Sequence, residues 1–480
     1  MNLKQKAISG VKWTTVSSVI IAITQLVQLS VLARFLSANE FGLIAILMVI
    51  INFSLLFIDF GISKAIIYKR KVSQKQLDTL YWLNILLSIF IFIIIIIMSP
   101  YIANFYNENS LEKLINLIGV SFIVQAFGQQ YRTLFQKELN FKILAKIDSI
   151  AAIFSFMIVI FLITHDYKIY AFVYSIIIIA LIRSILLVYY GISIHKIKMQ
   201  FDFMSIKDFL AFGFYSVGNS LVSTIATQID VILIGKLLGT ESLGLYSIMK
   251  ELVLRPAQLI NPIVTKVAFP VLSKFNDDIS KIRVVYLKLI NYISSLNFPV
   301  YIASFILAPE IITIFLGDRW LNGVEIFQIL SVWALVRSRG NPIGSLVMAM
   351  GKPEYEMYWN IGMMFTAPIV VYISSSYGII GIAWGNLISI IILFIPGWYF
   401  LTYRLCKASL NEYFMSSFYP LVISIFTGLI INGILFLHSG NIFYKFFITS
   451  TIGLPIIYFL YKKLNSDFYN LIIEFVKRKK

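Results

Sequence analysis

Apolar runs of about twenty residues alternate with short polar stretches along almost the whole chain, and twenty is the length a helix needs to cross a bilayer. The pattern predicts about fourteen such helices. Six fall at roughly 11–32, 41–63, 77–98, 113–135, 143–164 and 168–190. A basic linker at 191–208 separates them from a pair within 209–273. The ninth ends near Ala308, and the tenth, 324–350, is interrupted at Arg339-Gly340-Asn341-Pro342. Four more cover about 355–376, 378–403, 414–437 and 442–461. The third is the greasiest, with isoleucine at every position from Ile93 to Ile97, and is expected to face lipid.

The polar positions within these runs are ordered too. On the first helix Thr14, Ser17, Ser18, Gln25 and Gln28 recur at helical spacing, which puts them on one face. On the seventh, Ser216, Asn219, Ser220, Thr227 and Asp230 do the same. A shift of about 202 positions lays the second set on the first, with Lys236, Leu238, Gly244 and Leu245 on Arg34, Leu36, Gly42 and Leu43. Six helices separate the copies, so the repeat is parallel, as in carriers with two similar halves. The expected fold is an all-α polytopic membrane protein: two pseudo-symmetric six-helix lobes around a central cavity, plus two C-terminal helices. The domains read as 1–207, 208–403 and 404–480, the last ending in a basic tail.

Composition agrees with this pattern. Hydrophobic residues make up 59% of the 480 positions and charged residues only 13%, with mean hydropathy +0.85. A water-soluble chain could not hide so much apolar surface. The net charge of +17 is read as basic loops beside anionic lipid, not as a nucleic-acid surface. Alternate loops and the termini hold about 27 lysines and arginines, and the other side about four, Arg34, Lys168, Lys236 and Arg319. Both termini are therefore expected in the cytoplasm. No cleavable signal peptide is legible at the start. The tail 462–480 reads as an interfacial helix on anionic membrane lipid. The single cysteine, Cys406, leaves no intramolecular disulfide and no cysteine cluster for a metal, and no cofactor is expected.

No phosphate loop, dinucleotide fingerprint or metalloprotease helix is present. The candidate chemistry lies in charges within the apolar runs, which are costly in hydrocarbon and usually face a bundle interior or a wet cavity. Lys250, Arg255, Lys266, Arg337 and Arg339 are basic, and Asp59, Asp148, Asp230 and Glu251 acidic. The basic excess suits an anionic ligand, and an arginine fork matches phosphate oxygens. Substrate contacts are expected from the five basic residues, with Gln25, Gln28 and Asn219 from the polar stripes. Asp230 and Glu251 are candidates for a coupling ion. Competing readings accompany each. Glu251 and Arg255 stand four apart and can neutralise one another. Arg132 and Arg183 lie nearer the cytoplasmic ends, within reach of headgroups. Arg337 and Arg339 are two apart, so a regular helix would not aim both at one cavity. Arg255 precedes Pro256, and Pro262 follows, which predicts a kink there.

The runs Leu32-Ala33-Arg34-Phe35-Leu36, Glu40-Phe41-Gly42-Leu43 and Asp59-Phe60-Gly61 resemble the opening of bacterial polysaccharide exporters. Leu243-Gly244-Leu245-Tyr246-Ser247, Arg255-Pro256 and Phe269-Pro270-Val271-Leu272-Ser273 resemble their second lobe. The family belongs to the superfamily of multidrug, oligosaccharidyl-lipid and polysaccharide exporters, and the nearest branch holds teichuronic-acid, colanic-acid and O-antigen transporters. The resemblance implies flipping of an undecaprenyl-pyrophosphate-linked oligosaccharide across the bacterial cytoplasmic membrane. It also implies a polysaccharide polymerase and a chain-length regulator as neighbours. It carries no cavity arginine over residue by residue. Two alternatives stand beside it. A membrane glycosyltransferase or polymerase would need a larger outer loop than the roughly fourteen residues of 309–322. A drug/cation antiporter of the same superfamily would favour acids over arginines.

Overall fold

Serine and glutamate or glutamine set where the early helices begin. The structure, a computed structural model, describes residues 3–69, 71–275, 277–437 and 442–477. Among them every regular element is helical. Helix α1 (Leu3–Phe35) is followed by Ser37, whose hydroxyl accepts from the Glu40 amide while the Glu40 carboxylate accepts from the Ser37 amide. That reciprocal cap opens α2 (Ala38–Asp59). The single apolar run predicted at 41–63 instead breaks at Phe60-Gly61, both in the left-handed region (φ 41° and 69°), and continues as the short α3 (Ile62–Tyr68). Ser73 and Gln76 repeat the capping box ahead of α4 (Gln74–Tyr106). Then follow α5 (Ser110–Lys137), α6 (Phe141–Thr164) and α7 (Ile169–Gly191).

A long helical stretch, α8 (Lys207–Ser273), bent into two limbs, contains both predicted spans of the central region. Its non-helical residue is Gly239 (φ 81°, ψ 170°), a conformation open essentially to glycine alone. The backbone keeps helical angles through Pro256 and Pro262, and the break between the two expected spans falls at Gly239. Beyond it come α9 (Ile279–Ile306), α10 (Ala308–Phe315), α11 (Val324–Ser338) and α12 (Ile343–Ala349). The gap between the last two is the Arg339–Pro342 interruption read from the sequence. Next are α13 (Glu354–Ser375), α14 (Gly378–Ile392), α15 (Phe394–Gly397), a π-helical turn at Trp398–Tyr403 and α16 (Arg404–Cys406). Helices α17 (Leu410–Leu437), α18 (Ile442–Leu464) and α19 (Ser466–Lys477) complete the described chain.

Eleven described helices are long and apolar enough to cross a membrane, and twelve if the bent run Gly378–Cys406 is one span. Taking the two limbs of α8 separately, and α11 with α12 as one broken traverse, brings the fourteen expected.

By internal contacts the chain divides into Met1–Ser247 and Ile248–Lys480. In the first unit α4, α5 and α7 enclose a core containing Leu80, Tyr131, Phe135, Ile147, Ile206 and Phe209. Ile93, Ile94 and Ile97 stay exposed at 49%, 38% and 58%, which is the lipid-facing face expected of α4. In the second unit Leu272, Tyr286, Ile290, Leu346 and Cys406 close another core. There Asn465, just after α18, donates to Asn291 and Ser295 of α9, and so docks α19 against the bundle.

Candidate functional site

In the first unit the charges inside the helices converge. Asp148 on α6 is only 8% exposed, and a carboxylate so placed needs partners to stay ionised. It has two. Arg132 on α5 donates Nη1 to Oδ1 at 2.9 Å and Nη2 to Oδ2 at 2.8 Å, the paired geometry that a guanidinium fork favours. Arg183 on α7 brings its Nε to 3.1 Å from Oδ1. The headgroup-seeking role weighed for both arginines is therefore not the arrangement found. They bind three helices together around one acid and leave one surplus positive charge. Asp59, at the end of α2, accepts from the Ser63 hydroxyl and amide, and Ser63 meets Thr133 of α5 at 2.8 Å.

The polar stripes are partly open. Gln25 is exposed and Gln28 half-buried on α1. Thr227 is exposed, with its hydroxyl returned to the Ser223 carbonyl at 3.0 Å. Asp230 caps the Val231 amide at 2.9 Å and accepts from the Tyr246 hydroxyl at 3.4 Å. The side chains of Asn219 and Lys266 lie outside the described residues.

The second unit handles its cations differently. Lys250, in the second limb of α8, holds its Nζ 6.0 Å from the Trp333 ring centroid, and the Arg337 guanidinium lies 4.9 Å from the same centroid. Lys250 is half-buried and Arg337 exposed, while the indole is 9% exposed. An aromatic face attracts cations without cancelling their charge. Arg339 goes elsewhere, because α11 ends at Ser338. Its guanidinium is packed against Phe394 (4.2 Å) and Tyr413 (4.4 Å) and donates to the Tyr413 carbonyl at 3.2 Å. Arg337 and Arg339, both expected to contact substrate, lie in separate surroundings. Arg255 pairs with Glu251 one turn back at 2.5 Å and reaches Gln258 at 3.4 Å. The residues that organise these groups, Asp148 and Trp333, were not singled out as centres by the sequence. Nothing in their spacing marks them, since their partners come from other helices.

A parallel repeat of membrane helices with polar stripes and charges held between them defines a polytopic membrane carrier. The profile of the family described as "Polysaccharide biosynthesis protein" matches residues 31–325. The chain is 31% identical over 436 residues to "Teichuronic acid biosynthesis protein TuaB" of Bacillus subtilis (strain 168), covering 90% of each. It is 31% identical over 442 residues to "Lipopolysaccharide biosynthesis protein WzxC" of Escherichia coli (strain K12), again 90% of each. The chain belongs to this polysaccharide biosynthesis family. Among solved structures the lipid II flippase MurJ in an inward closed conformation matches with TM-score 0.76 at 17% identity, covering 97% of this chain and all of that one. An inward-facing multidrug transporter of the MATE family matches at 0.61 and 17%, covering 82% and 99%. These two likenesses establish the fold.

Proposed function

We propose that this protein is a flippase that moves a lipid-linked oligosaccharide repeat unit across the cytoplasmic membrane by alternating access. The observation that carries the reading is the meeting of Lys250 and Arg337 on the Trp333 ring. Two cations gathered at one aromatic ring suit the pyrophosphate of a polyprenyl carrier. Arginine supplies the fork and lysine a point charge. The half-exposed amides of the α1 stripe suit sugar hydroxyls. Relatives named for teichuronic acid and lipopolysaccharide biosynthesis support the substrate class, and a flippase of the same fold supports the reaction. The basic loop bias supports cytoplasmic termini, and an assembly line with a polymerase fits the same reading. Arg255 ranks behind Arg337, because Glu251 already occupies its fork. Two of the four acids an antiporter reading would use are already paired, Asp148 with two arginines and Glu251 with one. The test is complementation of a strain lacking the gene. Wild-type protein restores surface polysaccharide, and the double variant Lys250→Ala with Arg337→Ala, at normal membrane levels, leaves the lipid-linked unit on the inner leaflet. Full complementation by that variant refutes the assignment.

A further inference from the structure

Lys352, Arg404 and Lys407 rest on aromatic rings. The π-helical turn Trp398–Tyr403 and the short α16 after it build most of the arrangement. Tyr399 and Tyr403 stack with ring centroids 5.8 Å apart and planes inclined by 15°. The Arg404 guanidinium lies 5.4 Å from the Tyr399 centroid and 5.0 Å from that of Phe400. The Lys407 ammonium lies 5.1 Å from the Tyr403 centroid. Phe400 also meets Tyr355 of α13 at 5.9 Å, and the Lys352 ammonium lies 5.8 Å from the Tyr355 centroid. The contacts form one unbroken row, with a lysine at each end and Arg404 between them. A π turn is wider than an α turn, so it brings Arg404 beside Tyr399, which a regular α-helix would set on another face. Leu401, Thr402, Leu405 and Cys406 are buried, while Tyr399, Tyr403, Arg404 and Lys407 are exposed, so the row is the outer face of this turn.

Other cations of the second unit on the same lysine-rich side have carboxylate partners. Lys281 pairs with Asp278 at 3.0 Å, Arg283 with Glu412 at 3.9 Å and Lys288 with Asp467 at 3.4 Å. Among the described residues Lys352, Arg404 and Lys407 form no such pair, and their side chains donate no hydrogen bond to the protein. Glu354 and Glu356, close to Lys352 in sequence, stand in the first turn of α13, where the helix dipole favours acids. Toward the middle of the bent span that ends at Cys406, Ile388, Ile391, Ile392 and Ile395 are exposed. That is an apolar surface for acyl chains to cover.

We propose that this row binds the phosphate of an anionic glycerophospholipid, whose acyl chains lie along the isoleucines. The Arg404 fork matches phosphate oxygens, and the lysines add point charge. Tyrosine rings settle at headgroup depth, which fits the same occupant. The site is more specific than the general attraction of basic loops to anionic lipid, which counts nearby charges whatever their partners. It stands independently of the flipping reading.

The test titrates the purified full-length protein in detergent with phosphatidylglycerol or phosphatidylcholine, read by native mass spectrometry. Wild type should retain one phosphatidylglycerol under conditions that strip phosphatidylcholine. Lys352→Gln, Arg404→Gln and Lys407→Gln together should weaken that lipid roughly tenfold or more. All three side chains are exposed, so the triple variant is expected to fold. Lys281→Gln, Arg283→Gln and Lys288→Gln remove the same charge from the same side and should change the affinity little. Equal losses in the two triples, or equal retention of the two lipids by wild type, overturn the site. Tyr399→Leu with Tyr403→Leu keeps every charge and should weaken the lipid several-fold. Wild-type affinity in that variant overturns the aromatic row as the frame of the site.

Discussion

Arg132 and Arg183 of the first unit share one carboxylate, whereas Lys250 and Arg337 of the second share one indole ring. The difference separates two uses of charge among membrane helices. A carboxylate fixes its partners by directed hydrogen bonds and absorbs most of their field. A ring steadies cations by a weaker, less directional attraction. The first arrangement reads as scaffold and the second as reception. The seven residues 337–343 show the same contrast on a smaller scale. Arg337 is open and ring-bound, while Arg339 is buried and committed to Tyr413 and Phe394.

The comparison breaks most readily at Asp148. Asp148→Asn removes the charge that two guanidinium groups face, and losing one partner of a buried pair costs about 3–5 kcal/mol. Because the arginine side chains are 30% and 33% exposed, the loss should fall at or below the lower end. Thermal unfolding in detergent should show a clearly lowered midpoint, and an unchanged midpoint would remove the scaffold reading. Arg337→Ala should leave that midpoint in place and instead weaken carrier binding. A charged hydrogen bond contributes about 1.5–3 kcal/mol, or roughly ten- to a hundredfold in affinity. Arg337→Lys should recover part of it, measured as surface polysaccharide against protein level. Trp333→Leu keeps both cations but removes their shared support, at about 0.5–2 kcal/mol. A smaller binding loss than that of Arg337→Ala is the expected result, and equal losses would mean that the ring itself contacts the ligand. Glu251→Gln sharpens the contrast further. If the pair with Arg255 is structural, transport falls little and the midpoint drops slightly.

The smallest effect lies outside the membrane. Asp202 in the linker after α7 accepts from Lys75 at 2.8 Å and caps the turn that precedes α8. The Lys75 hydrogen bond comes first among the causes that hold its carboxyl below the ordinary 3.8. A depressed folded value means that the stabilisation is fully present above pH 3.8 and is lost as pH falls through the depressed value. Asp202→Asn should lower stability slightly at neutral pH and flatten the acid limb, so that variant and wild type converge where the wild-type carboxyl is protonated.

Periodicity made much of this legible. Fourteen traverses, the parallel repeat, the interruption at 339–342 and the lipid face of α4 all follow from spacing that one helix imposes on its own residues. The Glu251–Arg255 pair was legible for the same reason, since four residues make one turn. Contacts between helices were not. Asp148 draws one arginine from α5 and another from α7, and Trp333 of α11 draws Lys250 from α8. No local pattern encodes which acid or ring a distant cation will meet. The break at Gly239 falls between the two spans that the sequence placed within 209–273. The repeat was visible, but that its two copies would touch at Gly42 and Gly244 is a property of the third dimension.

That touching point carries a consequence of its own. There Gly42 lies against the carbonyl of Thr240, and Gly244 against that of Ala38. A homodimer must carry every change twice, on both sides of its axis. A fused pair is free of that constraint, and this one has used the freedom: position 38 is alanine and its counterpart at 240 is threonine. The hydroxyl gained at 240 is the one that Glu108 grips.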